Sequence, residues 1–117
     1  MHIEALRDYC LSKKGVTEGF PFGPDTLVFK VGGKMFALAG LEPFDYINLK
    51  CDPERVQELR AEYEGIRPGY HMNKEHWNSV YVDGTVPEKL IVELIDLSYS
   101  LVAASLPKKV KEEFGLD

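Results

Sequence analysis

Between Leu27 and Gly40 two apolar runs, LVFKV and KMFALAG, flank the pair Gly32-Gly33. Glycine enters positive φ without steric cost, and a tight two-residue hairpin turn calls for it, so the stretch predicts an antiparallel hairpin. A hairpin commits the chain to a sheet whose apolar face the remaining elements must cover. With the turn at Gly32-Gly33, Val31 stands opposite Lys34, Lys30 opposite Met35, and Phe29 opposite Phe36. Leu27, Phe29, Phe36 and Leu38 then share the core side, while Lys30 and Met35 point the other way.

The segments around the hairpin supply the cover. His2 to Lys14 reads as a helix with Ile3, Leu6 and Cys10 on one stripe, stopped by Gly15. Glu18 to Asp25 is a run of turns in which Pro21 and Pro24 restrict any strand to an edge, and Phe20 and Phe22 are expected to anchor the loop to the core. Tyr46 to Lys50 alternates as a third strand, Ile47 and Leu49 inward, Tyr46, Asn48 and Lys50 outward. Asp52-Pro53 opens a second helix with Val56, Leu59 and Tyr63 on its apolar stripe, ending at Gly65. Pro68-Gly69 makes a turn, and Trp77 to Val82 forms a strand with Val80 and Val82 on one face and Trp77, Ser79 and Tyr81 on the other. Thr85 and Glu88 have capping-box spacing for a last long helix carrying Leu90, Ile91, Leu94, Ile95, Leu101 and Val102. Pro107 stops it before a short charged tail. The order predicts one α+β domain over residues 1–117: a mainly antiparallel sheet in two layers, with helices on one face.

Composition narrows the function. The formal net charge is -5, from 14 basic and 19 acidic residues, which weighs against a generic nucleic-acid coat protein. No apolar run is long enough to span a membrane and none near Met1 resembles a signal peptide, so the expectation is a cytoplasmic protein with Cys10 and Cys51 as reduced thiols. His71 and His76 miss the i, i+4 spacing of a helical metal site, and Glu75 completes no zinc pattern, so no metal and no cofactor is expected. No glycine elbow surrounds Ser79, and Glu18, Asp25 and Glu42 are loop carboxylates near aromatics, a class that is usually solvated or capping, with a raised-pKa acid among them as the minor alternative. The expectation is therefore a binding module, not an enzyme. The face opposite the helices carries Lys30, Tyr46, Asn48, Lys50, Trp77, Ser79 and Tyr81. Such a mixed basic and aromatic face suits unpaired bases and phosphates, or equally a protein partner or second copy.

Two stretches, FPFGPDTLVFKVGGKMFAL (Phe20 to Leu38) and PGYHMNKEHWNSV (Pro68 to Val80), resemble the two signature regions of the MmcQ/YjbR family. The order of elements matches across the chain. The resemblance implies an α+β fold similar to CyaY and the secretion chaperones, and a DNA-binding role. It directs attention to Lys30 and Lys34 on the hairpin and to His71, Asn73, Lys74, His76 and Trp77 in the later motif. With Lys50 and Arg67 these are the candidate nucleic-acid-binding residues. Lys30, Lys34, Lys50, Arg67 and Lys74 would meet phosphate, and Trp77 would stack on a base; the partner would be single- or double-stranded DNA, with single strands binding at least as well.

Overall fold

The computed structural model describes residues 1–116. Its elements in order are α1 (Ile3–Leu11), β1 (Val16–Gly19), β2 (Thr26–Val31), β3 (Lys34–Gly40), β4 (Tyr46–Lys50), α2 (Pro53–Glu62), β5 (Ile66–Pro68), β6 (Trp77–Tyr81), α3 (Glu88–Ser105) and α4 (Lys108–Phe114). The strands form one antiparallel sheet in the order β1-β2-β3-β4-β6-β5. Leu6 and Cys10 of α1, Val56 and Leu59 of α2, and Ile91, Leu94, Ile95 and Val102 of α3 are buried in one cluster with Leu27, Phe29, Ile47, Leu49, Ile66 and Val80 of the sheet. This is the expected two-layer α+β architecture. Among the described residues, no helix is long and apolar enough to cross a membrane.

The hairpin turns at Gly32 and Gly33 with φ of 55° and 86°, the pair of positive values that such a turn requires. Val31 pairs with Lys34 and Lys30 with Met35, as the spacing predicts, but the register then shifts and Phe29 pairs with Ala37. Phe36 is the extra residue of a β-bulge. The bulge reverses the alternation beyond it: Phe36, Ala37 and Ala39 join the helix-side core, and Leu38 turns to the outer face beside Val28 and Trp77. The expectation that Leu38 shares the core face with Leu27 and Phe29 is thereby corrected. Ser98 of α3, fully buried, accommodates the irregularity: its hydroxyl accepts the Lys50 amide at 2.9 Å and donates to the Phe36 carbonyl at 2.6 Å. Two backbone groups displaced from the ladder are thus satisfied by a single side chain from the covering helix.

Other departures have local causes. The Asp83 carboxylate takes both the Thr85 amide (3.1 Å) and the Thr85 hydroxyl (2.6 Å), so Thr85 cannot cap, and α3 starts at Glu88 after Pro87. α2 ends at Tyr63, in extended conformation, two residues before Gly65. The charged tail forms α4, closed by Gly115 in the left-handed region. Phe20 and Phe22 do not anchor their loop: they remain 50% and 63% exposed. The helix-side volume is already filled by Phe29 and Phe36.

Candidate functional site

The outer face of the sheet is built by alternation. Thr17 pairs with Lys30, Lys30 with Met35, and Lys50 with Trp77, while Asn48 pairs with Ser79 and Ser79 with Arg67. Among the described residues, Glu18 is the one carboxylate in any strand. It pairs with Phe29 on the helix side and accepts both Arg7 hydrogen bonds there, at 2.7 and 2.5 Å. The strand side chains of the outer face therefore include Lys30, Lys50 and Arg67 and no acid.

The centre of that face is covered by the chain itself. Residues 69–76 fold back across it, and the sequence explains how they are held. Gly69 is buried against Trp77, where an added Cβ would lie 2.9 Å from the Trp77 Cβ and carbonyl oxygen, so only glycine lets the turn close this tightly. Its amide donates to the Trp77 carbonyl at 3.0 Å, and its carbonyl accepts from Lys74 Nζ at 2.8 Å. The Asn73 side chain accepts the Glu75 amide at 2.9 Å, a local turn characteristic of asparagine. Tyr70 is fixed at both backbone groups: its amide donates to Ser79 Oγ at 3.0 Å, and its carbonyl accepts from Asn48 Nδ2 at 3.2 Å. From the other layer, Arg60 of α2 donates to Asn78 Oδ1 at 2.7 Å, to the Trp77 carbonyl at 3.2 Å and to the Lys74 carbonyl. Arg60 is a clamp that sequence reasoning passed over, because a lone arginine on an amphipathic helix carries no signal of its target.

The candidate residues fall into three groups. Lys30, Lys50 and Lys74 lie on or beside the outer face around the Trp77 end of the sheet, with His76 half-buried next to them. Lys34 sits opposite Val31, on the helix side of the hairpin tip, and Arg67 lies near the other end with its guanidinium 4.3 Å from the Tyr81 ring centre. Trp77 itself is only 9% exposed, packed with Val28 and Leu38 in a small second core that Met35 and Met72 complete. It is not available to stack on a base while residues 69–76 stay in place. Asn73 forms the turn that holds that segment, and His71 belongs to a different feature at the opposite end.

That feature is a cleft of about 340 Å³ between the 20–25 loop and residues 70–72, with Leu38 and Met72 among its apolar lining and the rings of Phe22, Tyr46, Tyr70 and His71 at its walls. Tyr46 and Tyr70 meet at 80° with ring centres 6.2 Å apart, and His71 lies against Tyr70, tilted at 56° with ring centres 4.1 Å apart. His71 is the one described non-glycine residue with positive φ, 59°. Burial, then the Tyr81 and Tyr70 hydroxyls and the Asp45 carboxylate, push the Tyr46 phenol above its ordinary range. Burial also pushes the Cys10 thiol up to about 12 and raises that of Cys51, so both cysteines are held as neutral thiols. Among the described residues, no three His, Cys, Asp or Glu side chains gather as a metal site.

Comparison with known proteins gives consistent results. The family profile described as YjbR matches residues 11–101. Uncharacterized protein YjbR of Escherichia coli (strain K12) is 33% identical over 113 residues, covering 96% of this chain and 96% of its own length. Uncharacterized protein YbdF of Escherichia coli O157:H7 is 46% identical over 91 residues, 77% of this chain and 75% of its own. The crystal structure of Deinococcus radiodurans protein DR2400, of family DUF419, superposes with a TM-score of 0.91 at 43% identity, covering 99% of this chain and 89% of that one. A Pseudomonas syringae protein gives a TM-score of 0.75 at 33% identity over 87% of this chain and 99% of its own.

Proposed function

The chain belongs to the YjbR family, and from that premise we propose that it is a DNA-binding module without catalytic chemistry, which holds backbone phosphate on the lysine-bearing end of its outer sheet face. The observation that carries this reading is the segregation of charge. A chain with five more acids than bases keeps every carboxylate off the outer-face positions of its strands and places Lys30 and Lys50 there, with Lys74 beside them. Lysine ammonium groups meeting phosphate release condensed counterions, so the interaction is salt-dependent and carries little sequence information. Trp77 lies in the second core, so base stacking contributes nothing to this reading and gives no reason for single strands to bind as well as duplex.

Fluorescence anisotropy of a labelled oligonucleotide at increasing salt tests it. With three lysines meeting phosphate, a fourfold rise in salt lowers affinity by roughly 40-fold. Base sequence should matter little, and Trp77 emission should stay unchanged on binding. Absence of binding to both single and double strands at low salt would refute the proposal. A second reading, a protein partner held at the 20–25 loop, is favoured by the exposure of Phe20 and Phe22. Co-migration of a second copy in size-exclusion chromatography with light scattering, lost in Phe20→Ser, would support it.

A further inference from the structure

The lysines and the aromatic cleft lie at opposite ends of the outer face. Lys30 and Lys50 are at the C-terminal ends of β2 and β4, whereas the cleft is lined by Thr26 and Tyr46 at the starts of those strands and Gly40 at the end of β3. Asp25 and Asp45 directly precede the lining residues Thr26 and Tyr46, and Glu42 follows Gly40 by two positions; all three are exposed. No lysine or arginine lines the cleft. Arg67 lies over Tyr81, and Asp83 feels its field.

We propose that this cleft binds a small organic cation, a methylated ammonium group, between the rings of Tyr46, Tyr70 and Phe22. Three observations converge on that ligand class. The face of a tyrosine or phenylalanine ring is electron-rich and attracts a cation within about 6 Å of its centre, most strongly when water is excluded. Here two phenol rings meet at 80° with centres 6.2 Å apart, and Phe22, 63% exposed, lines the same cleft. The Asp45 carboxylate, whose field reaches the Tyr46 phenol, favours positive charge there and disfavours a phosphate or carboxylate ligand, which separates this site from the lysine end. The backbone behind the Tyr70 wall is also set in advance: Ser79 and Asn48 hold its amide and carbonyl, so binding has only the ring to order. The fold uses the same chemistry internally, with Lys13 Nζ 4.8 and 5.1 Å from the ring centres of Tyr9 and Tyr99.

The test compares three probes of nearly equal shape and different charge: choline, 3,3-dimethylbutan-1-ol and 3,3-dimethylbutanoate. Each is titrated into isotopically labelled full-length protein and followed by amide chemical shifts. The expected result is that choline shifts the amides of Gly40, Tyr46 and Tyr70, with affinity about tenfold above the neutral alcohol, and that the anion produces no shift. Asp45→Asn, at an exposed position, should weaken choline and leave the alcohol unchanged, while Phe22→Leu should weaken choline in a protein whose remaining spectrum is native. Lys50→Ala should alter neither. Equal binding of the alcohol, tighter binding of the anion, or no shift at tens of millimolar choline would each overturn the proposal. None of these outcomes bears on the oligonucleotide titration at the lysine end.

Discussion

Replacing Trp77 by alanine separates a structural role from a stacking role. Trp77 joins the helix-distal core of Val28 and Leu38, with Met35 and Met72 closing over it. Its removal takes the largest side chain out of that cluster and leaves residues 69–76 without the surface they cover. Large aromatic-to-alanine changes in packed sites cost roughly 3–5 kcal/mol. The site lies beneath a surface segment that can partly collapse into the space, so the low end, about 3 kcal/mol, is expected. A domain of this size has a total stability of roughly 5–15 kcal/mol, so the loss is a large fraction of it. It corresponds to a fall in melting temperature of about 10–15 °C. Urea denaturation followed by far-ultraviolet circular dichroism gives the number directly. Trp77 is the one tryptophan in the chain, so wild-type fluorescence gives a second check: blue-shifted emission and weak quenching by acrylamide. A loss well under 1 kcal/mol, or quenching as efficient as that of free tryptophan, would refute the burial argument and return Trp77 to the list of exposed rings.

Ser98→Ala leaves the Lys50 amide and the Phe36 carbonyl without a partner; at about 1–3 kcal/mol for each unsatisfied group, denaturant titration should read a loss of roughly 2–6 kcal/mol. Leu94→Ala, in the α3 stripe, should cost roughly 2–5 kcal/mol, and a loss under 1 kcal/mol would place the wrong helix on the core. Asp96 receives Lys13 Nζ and the Tyr9 hydroxyl, each at 2.5 Å, and although burial raises its carboxyl these two bonds hold it below its ordinary value. Its contribution is therefore present above the unfolded value of about 3.9 and lost as pH falls through the folded one, so Asp96→Asn should flatten the acid limb of a melting profile in that window. The hydrogen bond to Asp96, then burial, push the Tyr9 phenol up to about 12. The same variant should therefore soften the loss of stability between about pH 10, the unfolded value, and pH 12.

What the sequence made legible was whatever local chemistry decides. Gly32-Gly33 dictates a hairpin because few residues tolerate both φ values, and Asp52-Pro53 starts a helix in place. The five-residue alternation of Tyr46 to Lys50 is reproduced with its bounds unchanged. Features that depend on distant partners were not legible. The bulge at Phe36 arises where a serine sixty-two residues away can take up the displaced groups, and nothing near Phe36 announces it. Strand β5 is three residues long and contains a proline, too short to display a period, and exists by pairing with β6. The outer face was correctly assigned to Lys30, Lys50 and Trp77, but alternation says nothing about a loop folding back over it. Phe20 and Phe22 are expected in the core because apolar residues default to burial, and only the backbone path leaves them in solvent.

The phosphate-binding account rests on where the lysines are, not on how many there are. The direct measurement is the salt dependence of oligonucleotide affinity for two double variants of equal net charge. Lys30→Ala/Lys50→Ala removes cations from the outer face; Lys108→Ala/Lys109→Ala removes two exposed ones from α4. The account predicts that the first pair lowers the slope of log affinity against log salt by about two units and that the second leaves it unchanged. Equal loss in both pairs would mean attraction to net charge alone, and an unchanged slope in the first would contradict the assignment of this face.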